Sequence, residues 1–577
     1  KLDGNYPVGT QNVALGNTAL DSLTSGGYNT AIGYDTLTSN TTGGSNVALG
    51  SNALDANVSG SFNSALGESS LGGNTTGEYN TAVGRQALGS NTTASYNTAV
   101  GYQAGYSNTT GATLDAFGAL ALYTNTTGSN NAAFSGEALK LNTTGGSNSA
   151  FGRSSMFNNT TGSSNVGVGA FALQANTTAD YNTAVGYRAG YSTTTGESNV
   201  FVGGASWDSG YGAGYNNTTG QYNIAVGASS LGNNTTASNN VSVGHQSLYS
   251  NTTASNNTAV GYQSLYANTT GATNVAVGTS SLIANTTGAS NVALGTNALA
   301  ANTTASTNTA VGYASMQDNS TGANNVSVGY ETLGDNTTAV GNSGAGYKAL
   351  RFNTTGGSLT AFGAYALYNN TTANYNTAVG YGAGDSITTG SYNTIIGYGA
   401  DSYNATATGN IVLGYNTIGV QAGDGGTAYI MTVGTGNGSD RVYNEYDANA
   451  SWTRVSDVRY KEEIQDNTDC GLDFINDLRP VTFKWKPKAN IDPSLPDYNP
   501  LKTTRKYEQK MYGLIAQEVK EALNTHGITD FGGWNEIDGG INTISQEMFV
   551  HPLIKAIQEL SAKNDALTAR ITALEGN

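Results

Sequence analysis

Residues 80–96 read Asn80-Thr81-Ala82-Val83-Gly84-Arg85-Gln86-Ala87-Leu88-Gly89-Ser90-Asn91-Thr92-Thr93-Ala94-Ser95-Tyr96, and the same pattern begins again at Asn97. The first five positions are a short run ending on glycine. Ala87 and Leu88 add a second apolar pair, and Asn91-Thr92-Thr93-Ala94 closes the unit with turn-prone residues. Seventeen residues are too few for a helix-pair repeat and suit one coil of a parallel β-solenoid with two short strands. Glycine at a fixed place supplies the positive-φ or close-approach position that a tight corner needs.

The unit start recurs with Asn at positions 12, 29, 46, 63, 80 and 97, then at Asn131, Asn148, Asn165, Asn182 and Asn199. Each step is 17 residues, and Leu114 holds the Asn place in the skipped unit. An insertion of seven residues near 206–212, with Trp207 and Tyr211, precedes a restart at Asn223 that runs in phase to Asn342. Leu359, Asn376, Asn393 and Asn410 complete 24 units. Val83, Leu88 and one Tyr are the large side chains expected inside each coil. That is little apolar area against the ordering of the whole coil, so three chains are expected to pack around a common axis. At about 4.8 Å per coil the stack is a rod roughly 115 Å long.

Composition separates two regions. Residues 1–417 carry 7 of the 23 basic and 16 of the 39 acidic residues, and no Pro occurs between Pro7 and Pro480. The charged fraction of the whole chain is 11%, against roughly 25% in an average globular protein, so Asn, Thr and Ser must solvate the repeat surface. A net charge of -16 argues against nucleic acid, which selects basic surfaces. The single cysteine, Cys470, permits no intrachain disulfide and reads as a small buried residue; no Cys/His cluster suggests a metal, and no cofactor is implied. No apolar run reaches the roughly 20 residues of a membrane helix.

The repeated N-x-A-V-G and N-x-A-L-G starts resemble head repeats of trimeric autotransporter adhesins and repeats of several phage fibres. That resemblance, over about 400 residues, implies trimeric left-handed β-rolls. The lack of a membrane-anchoring C-terminal β-barrel departs from the autotransporter pattern and favours a phage fibre. The N-T-T element has three readings: a glycosylation sequon, a turn whose side chains form polar ladders, or a flat Thr array for ice or glycan. The ladder is preferred.

Beyond the repeats, Ser456-Asp457-Val458-Arg459-Tyr460-Lys461-Glu462-Glu463-Ile464 resembles the opening motif of the intramolecular chaperone domain that closes endosialidases and other tail spikes. Leu478-Arg479-Pro480-Val481, Phe483-Lys484-Trp485, Tyr512 to Val519 and Leu553 to Leu560 follow in the family's order. The resemblance implies a Ser–Lys dyad: Ser456 as nucleophile, Lys461 as general base, a cut at Ser456–Asp457, and Asp457 and Arg459 as scissile and positioning residues. Burial beside Arg459 would lower the lysine's pKa as that chemistry requires. Alone, the spacing also fits a solvated, charge-alternating strand. His526 and His551 read as structural.

Val550, Leu553, Ile557, Leu560, Asn564, Leu567, Ile571 and Leu574 alternate in steps of three and four, a heptad seam with one register-setting Asn. Packing within one chain is the plain alternative.

The chain is therefore expected to be mainly β: a solenoid shaft over 1–417, a β-rich junction over 418–455, an α+β chaperone and auto-protease domain over 456–549, and a trimeric coiled-coil helix over 550–577. The expected role is a structural and adhesive homotrimeric phage tail fibre or spike, extracellular on the virion. Its expected partners are itself, other tail proteins and a host-surface glycan or protein receptor, with no nucleic acid and no membrane insertion. A bacterial cell-surface adhesin and a polysaccharide-depolymerising spike are the alternatives. The latter needs paired carboxylates, and the shaft's 16 acids do not recur at one coil position.

Overall fold

The computed structural model describes residues 9–205, 210–419, 430–435, 441–445, 453–454, 464–493, 498, 500–504, 510–537 and 541–576. The chain divides into two compact units, Lys1–Val455 and Ser456–Asn577.

The first unit is a β-solenoid. Its 24 three-residue strands run from β1 (Val13–Leu15) to β24 (Ile411–Leu413), one per coil. Neighbours pair in parallel with a 17-residue offset: Thr81, Ala82 and Val83 of β5 (Thr81–Val83) face Thr98, Ala99 and Val100 of β6 (Thr98–Val100). The insertion leaves this register intact, since Val200 of β12 (Val200–Val202) faces Ile224 of β13 (Ile224–Val226).

Two expectations for the coil are corrected. Val83 and the tyrosines do not fill it. Successive strand residues point to opposite faces, so the central Ala82 goes in while Thr81 and Val83 go out. Tyr96 is 63% exposed. The interior is Ala82, Ala87, Leu88 and the two asparagines Asn80 and Asn91, all buried.

Second, each coil has one strand rather than two. Around Ala87 and Leu88 the chain makes tight turns, with Gln86 at φ 56° and Leu88 at φ 51°. Alternate residues bond to opposite neighbours there: Gln86 N donates to Glu68 O at 2.9 Å and Leu88 N to Ala104 O at 2.9 Å. The left-handed residues close the coil within its short length, and the bonds to both neighbours satisfy the backbone without a second strand. Gly84 (φ 128°) ends the strand; a Cβ there would stand 2.5 Å from Gly101 O.

The narrow interior shows where a larger residue enters. Phe201 replaces the usual central Ala and is fully buried, and Gly190 of the preceding coil and Gly214 of its own coil stand where Leu is usual. A Cβ at Gly214 would lie 2.3 Å from the Phe201 ring.

The parallel stack ends in an antiparallel meander. β24 still pairs in parallel with β25 (Ile430–Gly434); β25 then pairs antiparallel with β26 (Arg441–Glu445), and β26 with β27 (Thr453–Arg454).

The second unit is a small α+β assembly. It comprises α1 (Leu472–Asp477), β28 (Val481–Phe483) paired with β29 (Met511–Gly513), α2 (Ala516–Thr525), the hairpin β30 (Trp534–Ile537) and β31 (Ile541–Ile544), and α3 (Val550–Glu575). Phe474, Val519, Leu523 and Phe549 lie in its core.

Candidate functional sites of the shaft and the C-terminal unit

Inside the shaft the polar residues are structural. Asn91 Nδ2 donates to Asn74 Oδ1 at 2.9 Å and to Ala94 O at 3.0 Å. Asn80 Oδ1 accepts the N–H of Asn97 at 3.0 Å, and Asn80 Nδ2 donates to Ala94 O at 2.9 Å. The N-T-T element is thus a turn with an internal amide ladder. Its Asn is wholly buried, which leaves no amide for a glycosyltransferase in the folded coil. The first Thr also serves the ladder, Thr92 Oγ1 donating to Thr109 O at 3.0 Å, while the second, Thr93, faces solvent.

Outside, the strand face carries an apolar column at the Val83 position. Ile32, Leu49, Leu66 and Val83 line a groove there, and Phe151, Phe362 and Ile396 continue the column, 41–47% exposed. Aromatic ladders mark other corners. Tyr313, Tyr330 and Tyr347 stack at 5.2 and 5.3 Å, and Tyr381, Tyr398 and Tyr415 at 5.2 and 5.4 Å. Tyr365 bridges the two runs edge-on, at 5.4 Å from Tyr347 and 5.7 Å from Tyr381. Beside this track, Glu331 pairs with Lys348 at 3.5 Å and Arg351 at 3.2 Å, and Arg351 also meets Asp335.

One carboxyl pair escaped the sequence reading. Asp401 is 8% exposed, and burial, with a hydrogen bond to the Asp385 carboxyl, pushes it from 3.8 up to about 7. Its oxygens accept the N–H of Ser402 at 2.8 Å and of Ser386 at 3.2 Å. Carboxyls in mutual contact leave no room for a glycosidic bond, which needs a separation of roughly 5–10 Å. The pair therefore does not supply the acids that depolymerisation asks for.

In the C-terminal unit, Ser456, Asp457, Arg459 and Lys461 lie outside the described residues. The downstream motifs do come together. The Arg479 guanidinium forks onto both Glu518 carboxylate oxygens, Nε at 3.1 Å from Oε2, tying the Leu478–Val481 segment to α2. Trp534 Nε1 donates to Ala516 O at 3.0 Å, and Lys520 Nζ sits 4.0 Å above the Trp534 ring. Asn467 Oδ1 accepts the N–H of Cys470 at 3.1 Å, which leads the chain into α1. The Cys470 thiol is buried and its pKa is pushed up, so it is a packed core residue rather than a nucleophile. His526 Nε2 lies 2.8 Å from Asp477 Oδ2, joining α2 to α1.

Helix α3 buries Pro552 and Ala556, and Glu559 Oε2 accepts the N–H of Leu472 at 2.7 Å. The heptad seam is elsewhere on the helix. Val550, Leu553, Ile557, Leu560, Leu567, Ile571 and Leu574 are 45–75% exposed, and Asn564 is exposed with them. Packing within one chain does not account for this seam.

Residues 456–528 match the family of the chaperone of endosialidase. The match begins at Ser456 and ends at Ile528, a core residue just after α2, so the chaperone segment contains the Arg479–Glu518 fork and the His526–Asp477 bond. No curated protein and no solved structure matches the chain. Among the described residues, no three or more His, Cys, Asp or Glu side chains are grouped to hold a metal ion, and no helix is long and apolar enough to cross a membrane.

Proposed function

We propose that the chain is a homotrimeric phage tail fibre or spike, extracellular on the virion, that attaches to a host-surface receptor. Its C-terminal unit registers the three chains and then cuts itself off. The observation that carries this reading is the chaperone-of-endosialidase match following 24 coils of identical pairing geometry. Such coils pair equally well out of register, and a trimeric seed at one end removes that ambiguity. The unpartnered seam of α3 supports the seed, and the apolar strand-face column supports contact between shafts. In the maturation step Ser456 is the nucleophile and Lys461 the base, with Asp457 and Arg459 beside them. Water is added across the Ser456–Asp457 peptide, leaving a carboxylate on Ser456 and an amino terminus on Asp457.

Intact mass and denaturing electrophoresis of fresh protein, with native mass on the same samples, test both parts. Wild type is expected to release a piece of about 120 residues beginning at Asp457. Ser456→Ala and Lys461→Ala are expected to stay whole and trimeric. Wild type that never cleaves removes the peptidase step alone. A monomeric native mass removes the fibre.

A further inference from the structure

At the corner just before the strand, eight of the 24 coils bear an aromatic ring. Where adjacent coils both bear a ring the rings stack: Phe62–Tyr79 at 4.8 Å and 6°, Tyr79–Tyr96 at 5.1 Å and 2°, Tyr375–Tyr392 at 4.9 Å and 17°. A ring inside such a run has no free face. Tyr181 and Tyr222 occupy the same column two coils apart, with Ser198 between them. The backbone keeps the column's geometry, Ser198 N donating to Asp180 O and Tyr222 N to Glu197 O, both at 3.1 Å. Tyr181 is 65% and Tyr222 58% exposed. Twice the step of the Phe62–Tyr96 run places them about 10 Å apart, so a ring seated midway stands about 5 Å from each. That space is the rung that Ser198 omits.

The residue preceding each corner is mostly Gly, Ala or Ser, but here three consecutive coils carry Asp180, Glu197 and Gln221. Side chains of this column lean toward the preceding coil. Asp180 Oδ1 accepts the N–H of Ser163 at 2.6 Å, and Ser238 Oγ accepts the N–H of Gln221 at 3.0 Å. Glu197 is the neighbour of Ser198 in the gap's own coil, and a lean of this kind brings Gln221 to the same height from the following coil.

We propose that Tyr181 and Tyr222 hold one neutral pyranose unit of a surface glycan between their ring faces, with Glu197 and Gln221 bonding its hydroxyls. This rests on the attachment reading and names its ligand class. The electron-rich ring faces attract the slightly positive C–H groups of a sugar face. A carboxylate accepts from a pair of neighbouring hydroxyls, and an amide both donates and accepts. Asp180 and Glu197 repel anionic sugars, which selects a neutral one. A second gap, Tyr28–Ser45–Phe62, has only Gly44 and Ser61 beside it and so lacks the hydrogen-bonding half of the site.

The full chain is titrated with cellohexaose, maltohexaose and chitohexaose, read by saturation-transfer NMR and calorimetry. At least one hexasaccharide is expected to bind at millimolar concentration or tighter. Tyr181→Ala and Tyr222→Ala are each expected to weaken it at least tenfold. Ser198→Tyr is expected to abolish binding by restoring the rung, at a position whose φ of 56° matches the 58° and 62° of Tyr79 and Tyr96. Binding of none of the three, or binding that survives Ser198→Tyr, overturns the site. So does loss of binding in Tyr28→Ala equal to that in Tyr181→Ala. Native mass on the same samples separates the claims: a trimer without binding overturns the slot alone, and a monomer overturns the fibre reading.

Discussion

Replacing Asp401 by Asn tests how the last coils of the shaft respond to pH. In the folded chain this carboxyl is held at about 7, chiefly by burial, whereas an unfolded Asp loses its proton near 3.8. Between those values the folded state keeps a proton that the unfolded state has released. The resulting stability is fully present below pH 3.8 and is lost as pH rises to about 7. The difference corresponds to about 4 kcal/mol, an upper bound for any single local opening. Asn keeps the acceptor for Ser402 N–H and offers a donor toward Asp385, with no charge at any pH. Native-state hydrogen exchange reads the effect at Asp401 N, bonded to Thr417 O at 2.9 Å, and Gly419 N, bonded to Asp401 O at 2.8 Å. Leu265 N, bonded to Ser281 O at 3.0 Å in mid-shaft, is the internal reference. Relative to Leu265 and after correction for intrinsic exchange, wild-type protection at these amides is expected to fall between pH 4 and pH 8. Asp401→Asn is expected to stay flat and to exceed wild type at pH 8. A wild type with no fall, or a variant that falls equally, would refute the buried-proton account.

Asn159→Ala should cost about 2–4 kcal/mol in urea unfolding. It removes donors to Asn142 Oδ1 at 2.7 Å and Gly162 O at 2.9 Å; Gly162 O keeps Asn148 Nδ2 at 2.8 Å, but the buried Asn142 Oδ1 loses its donor. Exposed Thr161→Ala should stay within about 0.5 kcal/mol. Leu88→Ala should cost about 2–5 kcal/mol and Val83→Ala clearly less in the same assay; equal losses would contradict the outward placement of Val83. Ile557→Asp should lower the native mass below that of a trimer while circular dichroism keeps the helix content. An unchanged mass would remove the α3 seam from assembly.

The 17-residue period, the 24 coils and the parallel register were legible in the chain because every coil repeats its partner's environment one period away. The Asn of N-T-T was legible as a ladder for the same reason. The opening of the chaperone segment at Ser456 could be read from ordered motifs, which survive as patterns whatever their contacts. What the chain did not show was which side of each coil is inside. A period of 17 says that Val83 and Leu88 recur, but only the left-handed turns at Gln86 and Leu88 decide that Leu88 goes in and Val83 out. The Asp385–Asp401 pair is 16 residues apart, one short of the period, and only the folded coils bring its carboxyls into contact. A missing ring such as Ser198 looks in sequence like one more small residue. It becomes a space between two faces only when stacking sets tyrosines two coils apart at a ring's distance from its centre, because tertiary structure turns periodicity along the chain into depth along an axis.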